Sequence, residues 1–233
     1  MESTTQNPAT QPYQHLIDNG YEFQLGDYIN RGWEIFKKDP GPFIGYTLLM
    51  MVIMVVAAFT IIGIFFVAGP LVGGFYIYAN KVANDEPRSF SDFFEGFAFT
   101  GQLAISMLVT AVLVFIGYLL LFIPGIYLAV AYGFTIPLIV LGGMDFWSAM
   151  ETSRKVITKN WFWFFLFGIV VGIIAAVGEI ALIIGIFVTM PIAMCIQYAA
   201  FEGIMGSAAS HSYENKIDEI GTIDEIDDTQ GGL

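Results

Sequence analysis

The residues Phe122 to Tyr127 read FIPGIY and lie inside a tract of 47 residues, Gly96–Gly142, that carries no charged side chain. Two further tracts of at least 40 residues, Gly41–Asn80 and Asn160–Phe201, contain no charge and one charge, respectively. A helix of 40 residues would be about 60 Å long, twice the ~30 Å thickness of the hydrocarbon core of a bilayer. Each tract is therefore predicted to cross a membrane, turn and cross back, with Pro124 and Gly125 reversing the chain in this one.

The composition of the chain also indicates a membrane protein. Of the 233 residues, 56% are hydrophobic and 13% are charged, whereas soluble domains carry about 25% charged residues. The first 22 residues have neither a basic start nor an apolar run, which is unlike a cleavable signal peptide. The single cysteine, Cys195, excludes a disulfide within the chain and a cysteine-based metal cluster.

A short pattern recurs near the middle of the three tracts: IIGIF at 61–65, IPGIY at 123–127 and IIGIF at 183–187. Its glycines, Gly63, Gly125 and Gly185, are predicted to mark the three turns. At a fixed offset of 121 residues, Pro70 matches Pro191 without a gap. The pattern predicts three copies of a unit of about 60 residues. The alternative is that tight turns between membrane helices favour glycine whatever their origin.

The predicted fold class is an all-α polytopic membrane protein with six transmembrane helices in three hairpins. We expect the helices at about 42–59, 61–83, 98–121, 125–143, 161–178 and 181–205. The membrane domain, residues 23–206, then divides into hairpin units at about 23–84, 88–144 and 145–206, and residues 1–22 and 207–233 form polar, disordered tails. Pro70, Pro137 and Pro191 fall inside the return helices and are predicted to bend them.

Each unit begins with an amphipathic segment, namely LGDYINRGWEIFKKD, FSDFFEGF or MDFWSAMETSRKVITKN. In each segment the apolar side chains recur on one side at helical spacing. We expect these segments to be interfacial helices that lie in the headgroup plane with the aromatic side towards the lipid.

The basic residues predict the orientation of the hairpins. With three hairpins, all nine fall on the same side as both termini: Arg31, Lys37, Lys38, Lys81, Arg88, Arg154, Lys155, Lys159 and Lys216. Basic residues are enriched on the cytoplasmic side of membrane proteins. Both termini are therefore predicted to be cytosolic.

No pattern of catalytic, metal-binding or cofactor-binding residues is present in the predicted spans. The two histidines, His15 and His211, lie in the polar tails. Glu179 and Gln197 are weak candidates for a polar site in the membrane. The simpler interpretations are that Glu179 lies exposed at the outer interface and that Gln197 bonds to a neighbouring helix. We therefore predict neither a cofactor nor an enzymatic activity.

The C-terminal segment carries seven acids and one lysine, which give it half of the net charge of −12. The word IDEI occurs twice in this segment, at 217–220 and 223–226. Isoleucines at regular spacing among acids could dock on a basic partner, and a solvated tail is the alternative. The candidate partner-binding residues are Ile217, Asp218, Glu219, Ile220, Ile223, Asp224, Glu225 and Ile226.

Several segments together resemble a known group of bacterial six-span proteins: GWEIFKK (32–38), FSDFFEGF (90–97), FIPGIYLAVAYGFTIPLIV (122–140), SAMETSRKVITKNWFWFF (148–165) and GIFVTMP (185–191). This group includes the membrane domain associated with some glycerophosphodiester phosphodiesterases and related integral membrane families of unknown function. The resemblance covers residues 23–206 and implies six helices in a bacterial cytoplasmic membrane. It supplies no catalytic motif, and because this sequence contains no phosphodiesterase domain, it does not imply that activity.

These observations favour a non-enzymatic integral membrane protein of the bacterial inner membrane, an accessory or scaffolding subunit. Its expected partners are membrane lipids and another envelope membrane protein, and nothing in the sequence indicates nucleic acid binding. The alternative is a small-solute or lipid transporter whose proline-containing return helices line a path. The internal pattern runs in parallel orientation and the middle of the predicted membrane is apolar, which favours the first interpretation.

Overall fold

The computed structural model describes residues 11–180 and 185–206, which form helices joined by short turns, with no strand among them. Ten α-helices run through these residues: α1 Gln11–Asn19, α2 Leu25–Lys38, α3 Pro40–Ala58, α4 Ile61–Ala83, α5 Thr100–Leu120, α6 Phe122–Ala131, α7 Thr135–Val140, α8 Phe146–Lys159, α9 Trp161–Ile180 and α10 Ile186–Phe201. A 3₁₀ helix, Phe90–Phe99, leads into α5, and a π-helical turn, Glu202–Gly206, follows α10. Six helical stretches are long and apolar enough to cross a membrane, which confirms the predicted all-α fold and its number of spans.

The return helices of the three hairpins are inside the bundle and the outgoing helices are outside. In the outgoing spans, which contain α3, α5 and α9, 22% of the residues are buried. In the return spans the buried share is 61% for α4, 44% for α6 with α7, and 56% for α10. The outgoing spans are also the more apolar, with mean hydropathies of 2.0, 2.5 and 2.3 against 1.3, 1.8 and 1.3. The outer helices therefore supply the surface that lipid would cover.

The three amphipathic helices pack against the return helices, so they do not lie free with the apolar side towards lipid. A Cβ on Gly32 of α2 would lie 2.5 Å from the Cα of Ile196 in α10, so the two backbones touch. In the same way, Gly96 of the 3₁₀ helix leaves room for the backbone of Gly74 in α4. The third helix, α8, packs on α6 and α7 through the small side chain of Ser153. Each amphipathic helix therefore contacts the return helix of another hairpin.

Two pairs of helices have matching boundaries along the chain. The helices α2 and α8 are both 14 residues long, and α8 begins 121 residues after α2. The helix α9 likewise begins 121 residues after α3. The residues that α2 buries have buried counterparts at the same offset in α8, in the order Tyr28, Gly32, Ile35, Phe36 and Ala149, Ser153, Val156, Ile157.

The second hairpin reverses at Leu121, before the Pro124–Gly125 pair that was expected to reverse it. Leu121 is the one residue between α5 and α6 and has extended backbone angles. Pro124 lies in the first turn of α6. Backbone N–H groups there have no acceptor within the helix, so the N–H that proline lacks is not needed. Gly125 lies against Gly117 of α5, since a Cβ on Gly117 would come within 2.8 Å of the Gly125 nitrogen. The pair thus starts the return helix and lets it approach the outgoing one.

The other two predicted turn glycines have related positions. Gly63 lies in the first turn of α4, just after the turn between α3 and α4, and its N–H donates to the Thr60 carbonyl at 2.9 Å. Gly185 directly precedes α10 and lies against Gly178 of α9, where a Cβ on Gly178 would be 2.6 Å from the Gly185 carbonyl carbon. In the second and third hairpins, a pair of glycines therefore lets the two helices meet beside the turn.

The prolines of the return helices differ in their effect. The helices α4 and α10 each continue through their proline, Pro70 and Pro191. The return helix of the second hairpin is interrupted at residues 132–134, and Pro137 lies in the first turn of the new helix α7. We expected Pro137 to bend a continuous helix, and the structure has two separate helices there. A proline cannot donate a backbone hydrogen bond, so it favours the start of a helix over its middle.

The structure differs from the expectation of disorder over the N-terminal residues that it describes. Residues 11–19 form α1, and its Tyr13 and Leu16 are 5% and 6% exposed. The helix packs along α8, with the Tyr13 hydroxyl close to Gly142. Burial of these two apolar side chains on one side of the short helix stabilises its contact with α8.

Candidate functional site: the polar network and cleft at the end of the inner helices

Polar side chains near the ends of α4 and α10 bond to each other. The Tyr76 hydroxyl donates to Oε1 of Gln197 at 3.0 Å. The Tyr198 hydroxyl donates to Oδ1 of Asn80 at 2.8 Å. Gln197, a weak candidate for a polar site, thus bonds to a neighbouring helix, although its side chain also keeps an exposed surface.

The network ends at an ion pair between α2 and the π-helical turn. Arg31 donates from Nε to Oε2 of Glu202 at 2.9 Å and from Nη2 to Oε1 at 3.0 Å. Its Nη2 also donates to the carbonyl of Ala83, the last residue of α4, at 3.3 Å. The hydrogen bond to Glu202 raises the pKa of the Arg31 guanidinium, despite partial burial. This pair therefore ties α2, α4 and α10 together at one end of the bundle.

A cleft of about 440 Å³ opens beside this ion pair. Small-molecule sites commonly have volumes of about 300–1,000 Å³. The cleft lies between the loop before α2, α2 itself and the end of α10, and its lining residues are Tyr21, Glu22, Gln24, Asp27, Tyr28, Arg31, Ala199, Glu202 and Gly203. Its lining includes three carboxylates and one guanidinium.

Tyr28 forms the buried wall of the cleft, with 6% of its surface exposed. Burial raises the pKa of the Tyr28 phenol, the backbone of Gln24 lowers it through a hydrogen bond, and the carboxylates of Asp27 and Glu22 raise it. Both carboxylates line the same cleft as this hydroxyl. Gly203 leaves room for the ring, since a Cβ there would lie 3.0 Å from the Tyr28 ring.

Most of the basic side chains at this end are neutralised within the protein. Of the eight that lie between residues 11 and 206, all but Lys159 take part in ion pairs. The pairs are Arg31–Glu202, Lys37–Glu34, Lys38–Asp85, Lys81–Asp92, Lys81–Glu95, Arg88–Asp39, Arg154–Glu151 and Lys155–Glu151. The carboxylates without a basic partner therefore make the surface of the described residues outside the spans negative.

Sequence reasoning missed an aromatic stack that holds the 3₁₀ helix in place. The ring of Phe93, fully buried, lies between the rings of Tyr46 and Tyr78 at centroid distances of 4.0 Å and 3.9 Å. The Tyr78 hydroxyl donates to Asp39 at 2.6 Å, and Arg88 donates to the same carboxylate oxygen at 2.9 Å. The tyrosines were visible in the sequence, but no spacing rule relates them to Phe93. This cluster therefore holds the 3₁₀ helix against α3 and α4.

The remaining predicted residues fall into two groups. Cys195 is fully buried in α10 and fills space in the core. The side chain of Glu179 and all eight candidate residues of the C-terminal segment lie outside the described part of the chain. Among the residues that the structure describes, no group of three or more His, Cys, Asp or Glu side chains could hold a metal ion.

Comparison with known proteins found no matching family model, no matching curated protein and no matching solved structure. The resemblance to the bacterial six-span proteins therefore stays an expectation.

Proposed function

We propose that this protein is a non-enzymatic integral membrane protein, an accessory or scaffolding subunit of a membrane complex in the bacterial inner membrane. In this role it contacts lipid through the outer helices α3, α5 and α9 and binds a partner protein at the end that carries the amphipathic helices. Six apolar helices of membrane length support the first part of the proposal.

The observation that carries the proposal is the pairing of polar groups on the inner helices. Polar side chains inside a membrane often mark a path for a substrate or an ion. Here Tyr76 bonds to Gln197 and Tyr198 bonds to Asn80, so these groups connect the helices to each other. A bundle that is tied together in this way suits a rigid scaffold.

We also propose that the three hairpins are copies of one unit and that both termini are cytosolic. The shared boundaries of α2 and α8, at an offset of 121 residues, support the duplication. So does the packing, in which Gly32, Gly96 and Ser153 place the amphipathic helix of each unit on the return helix of another. The nine basic residues, all on the side of both termini, support the orientation.

The partner is proposed to be basic. Apart from Glu179, residues 11–206 carry twelve carboxylates against eight basic side chains, a net charge of −4. The C-terminal segment 207–233 adds −6. An acidic end that neutralises its own cations attracts a positively charged protein surface by complementary charge.

Purification in a gentle detergent tests this function. We expect a partner to co-purify in stoichiometric amount and to be lost when residues 212–233 are deleted. A variant in which the acids of 217–226 are changed to their amides, with the isoleucines kept, separates the charge of this segment from its length. Recovery of a monodisperse protein without a partner contradicts the proposal.

A small-solute or lipid transporter is a second candidate, because the return helix of the second hairpin is discontinuous. Transporters commonly build their binding sites from interrupted helices near the middle of the membrane. In this chain the break separates α6 from α7 at residues 132–134. Thermal stabilisation by a substrate, lost on changing Gln197 or Glu179, would favour the transporter over the scaffold.

A further inference from the structure

The cleft beside the Arg31–Glu202 ion pair lies where the membrane spans end. Glu202 and Gly203 belong to the last turn of the span Ile186–Gly206, and Arg31 bonds to Ala83, which ends the span of α4. Two spans that end together place the cleft at the level of the lipid headgroups. A ligand in the cleft can therefore belong to the bilayer itself.

The cleft offers two kinds of polar group that lack a partner among the described residues, namely carboxylates and hydrogen-bond donors. Within the described part of the chain, Glu22 and Asp27 form no ion pair. Arg31 uses Nε and Nη2 for its bonds to Glu202 and Ala83, so its Nη1 has no hydrogen-bond partner among the described residues. The Tyr28 side chain lines the cleft with 6% of its surface exposed, and no described acceptor takes the proton of its hydroxyl.

We propose that this cleft binds the headgroup of a lipid that carries both a phosphate and a primary ammonium, as phosphatidylethanolamine does. The ammonium bonds to the carboxylates of Glu22 and Asp27. The phosphate accepts from Nη1 of Arg31 and from the Tyr28 hydroxyl. With Glu202 matched by Arg31, the two remaining carboxylates give the cleft a net charge of −2, which disfavours an anionic headgroup. This inference rests on the proposed membrane-embedded role.

Native mass spectrometry of the full chain, with lipids of identical acyl chains, tests the proposal. The probes are phosphatidylethanolamine, phosphatidylcholine, whose methylated ammonium donates no hydrogen bond, and phosphatidylglycerol, which has no ammonium. The test variant is Glu22→Gln with Asp27→Asn, and the matched control is Asp18→Asn with Glu34→Gln, which makes the same charge change outside the cleft. Tyr28→Phe removes the proposed phosphate donor alone.

We expect phosphatidylethanolamine to bind about three- to tenfold more tightly than the other two lipids, because it alone carries an ammonium that donates hydrogen bonds to the two carboxylates, and such exposed pairs contribute modestly. The Glu22/Asp27 double variant should lose this preference, the control should keep it, and Tyr28→Phe should weaken binding of both zwitterionic lipids. Equal binding of all three lipids, or an unchanged preference in the double variant, overturns the proposal. If a lysine-rich peptide displaces bound phosphatidylethanolamine, the cleft is a site for a protein, and this result also overturns the proposal.

Flotation of the same protein with liposomes separates this inference from the function it rests on. Protein that floats but shows no lipid preference refutes the headgroup site alone. Protein that fails to float refutes the membrane-embedded role and the headgroup site together.

Discussion

Replacement of Ser153 by alanine should loosen the interrupted return helix of the second hairpin. The Ser153 hydroxyl accepts from the N–H of Phe134 at 3.0 Å and donates to the carbonyl of Ala131 at 2.8 Å. It thereby satisfies one backbone group on each side of the break between α6 and α7. The side chain is fully buried, so no solvent can replace it in the variant. Ser153→Ala leaves both backbone groups without a partner.

The expected loss of unfolding free energy is about 1–3 kcal/mol. Interhelical hydrogen bonds in membrane proteins contribute about 0.6 kcal/mol on average, whereas a buried group left without a partner costs about 1–3 kcal/mol. Two groups are affected, but the backbone around a helix break can adjust, so we expect the cost of about one group without a partner. Equilibrium unfolding by sodium dodecyl sulfate in mixed micelles measures this free energy directly.

Thr152→Val is the matched control, because Thr152 precedes Ser153 in the same helix and is also buried. Its hydroxyl has no hydrogen-bond partner among the described residues. Removing a buried hydroxyl without a partner should leave the stability unchanged or raise it. The reasoning is refuted if Ser153→Ala stays within about 0.5 kcal/mol of the parent protein, the usual range for substitutions away from any structural feature, or if Thr152→Val costs as much.

Three further substitutions have expected outcomes. Gly32→Ala should cost about 1–3 kcal/mol through overpacking against α10, while Gly168→Ala, which meets open space on α9, should cost nothing in the same unfolding assay. Phe93→Ala should cost about 3–5 kcal/mol because it empties the space between two tyrosine rings, whereas changes to the exposed phenylalanines of the 3₁₀ helix should not. The hydrogen bond from Arg154 lowers the pKa of Glu151, so the stability from this pair is full above the unfolded-state pKa of about 4.3 and is lost as the pH falls through the folded-state value. In Glu151→Gln, unfolding measured from pH 7 to pH 3 should lack this acid-dependent loss, and an unchanged pH profile would contradict the assignment.

The number of membrane spans, and the ends of two of them, follow from hydrophobicity alone. Long tracts without charge leave few choices for a chain that must satisfy its backbone inside lipid. The expected spans at about 42–59 and 161–178 differ from α3 and α9 by at most two residues at either end. The amphipathic faces of α2 and α8 were also predictable, because they depend on local spacing.

The arrangement of the helices was harder to predict, because it depends on contacts between distant residues. The turn glycines Gly125 and Gly185 lie against Gly117 and Gly178, respectively. These contacts could not be predicted, because only the folded hairpin brings the glycines together. One signal could have separated inner from outer helices, namely the lower mean hydropathy of the return spans. The break before α7 carried a weaker signal in Pro137, which is equally compatible with a bent helix.

The cleft could not have been predicted from the sequence. Glu22 and Asp27 precede or begin α2, while Glu202 follows α10, and 175 to 180 residues separate them along the chain. Such distant side chains converge only because Gly32 lets α2 cross α10 at close range. The polar network was foreseen only in that Gln197 was expected to bond to a neighbouring helix.

Cysteine labelling in intact cells tests the membrane topology, which underlies the whole account, most directly. In a variant without the native cysteine, single substitutions place a thiol at Thr60, Ile123 or Leu182, in the three predicted outer turns, or at Glu34 or Lys155, at the basic end. A maleimide that cannot cross membranes should label the first three positions and spare the other two until the cells are opened. Labelling of either basic-end position in intact cells, or protection of any one of the three turns, would contradict the three-hairpin topology.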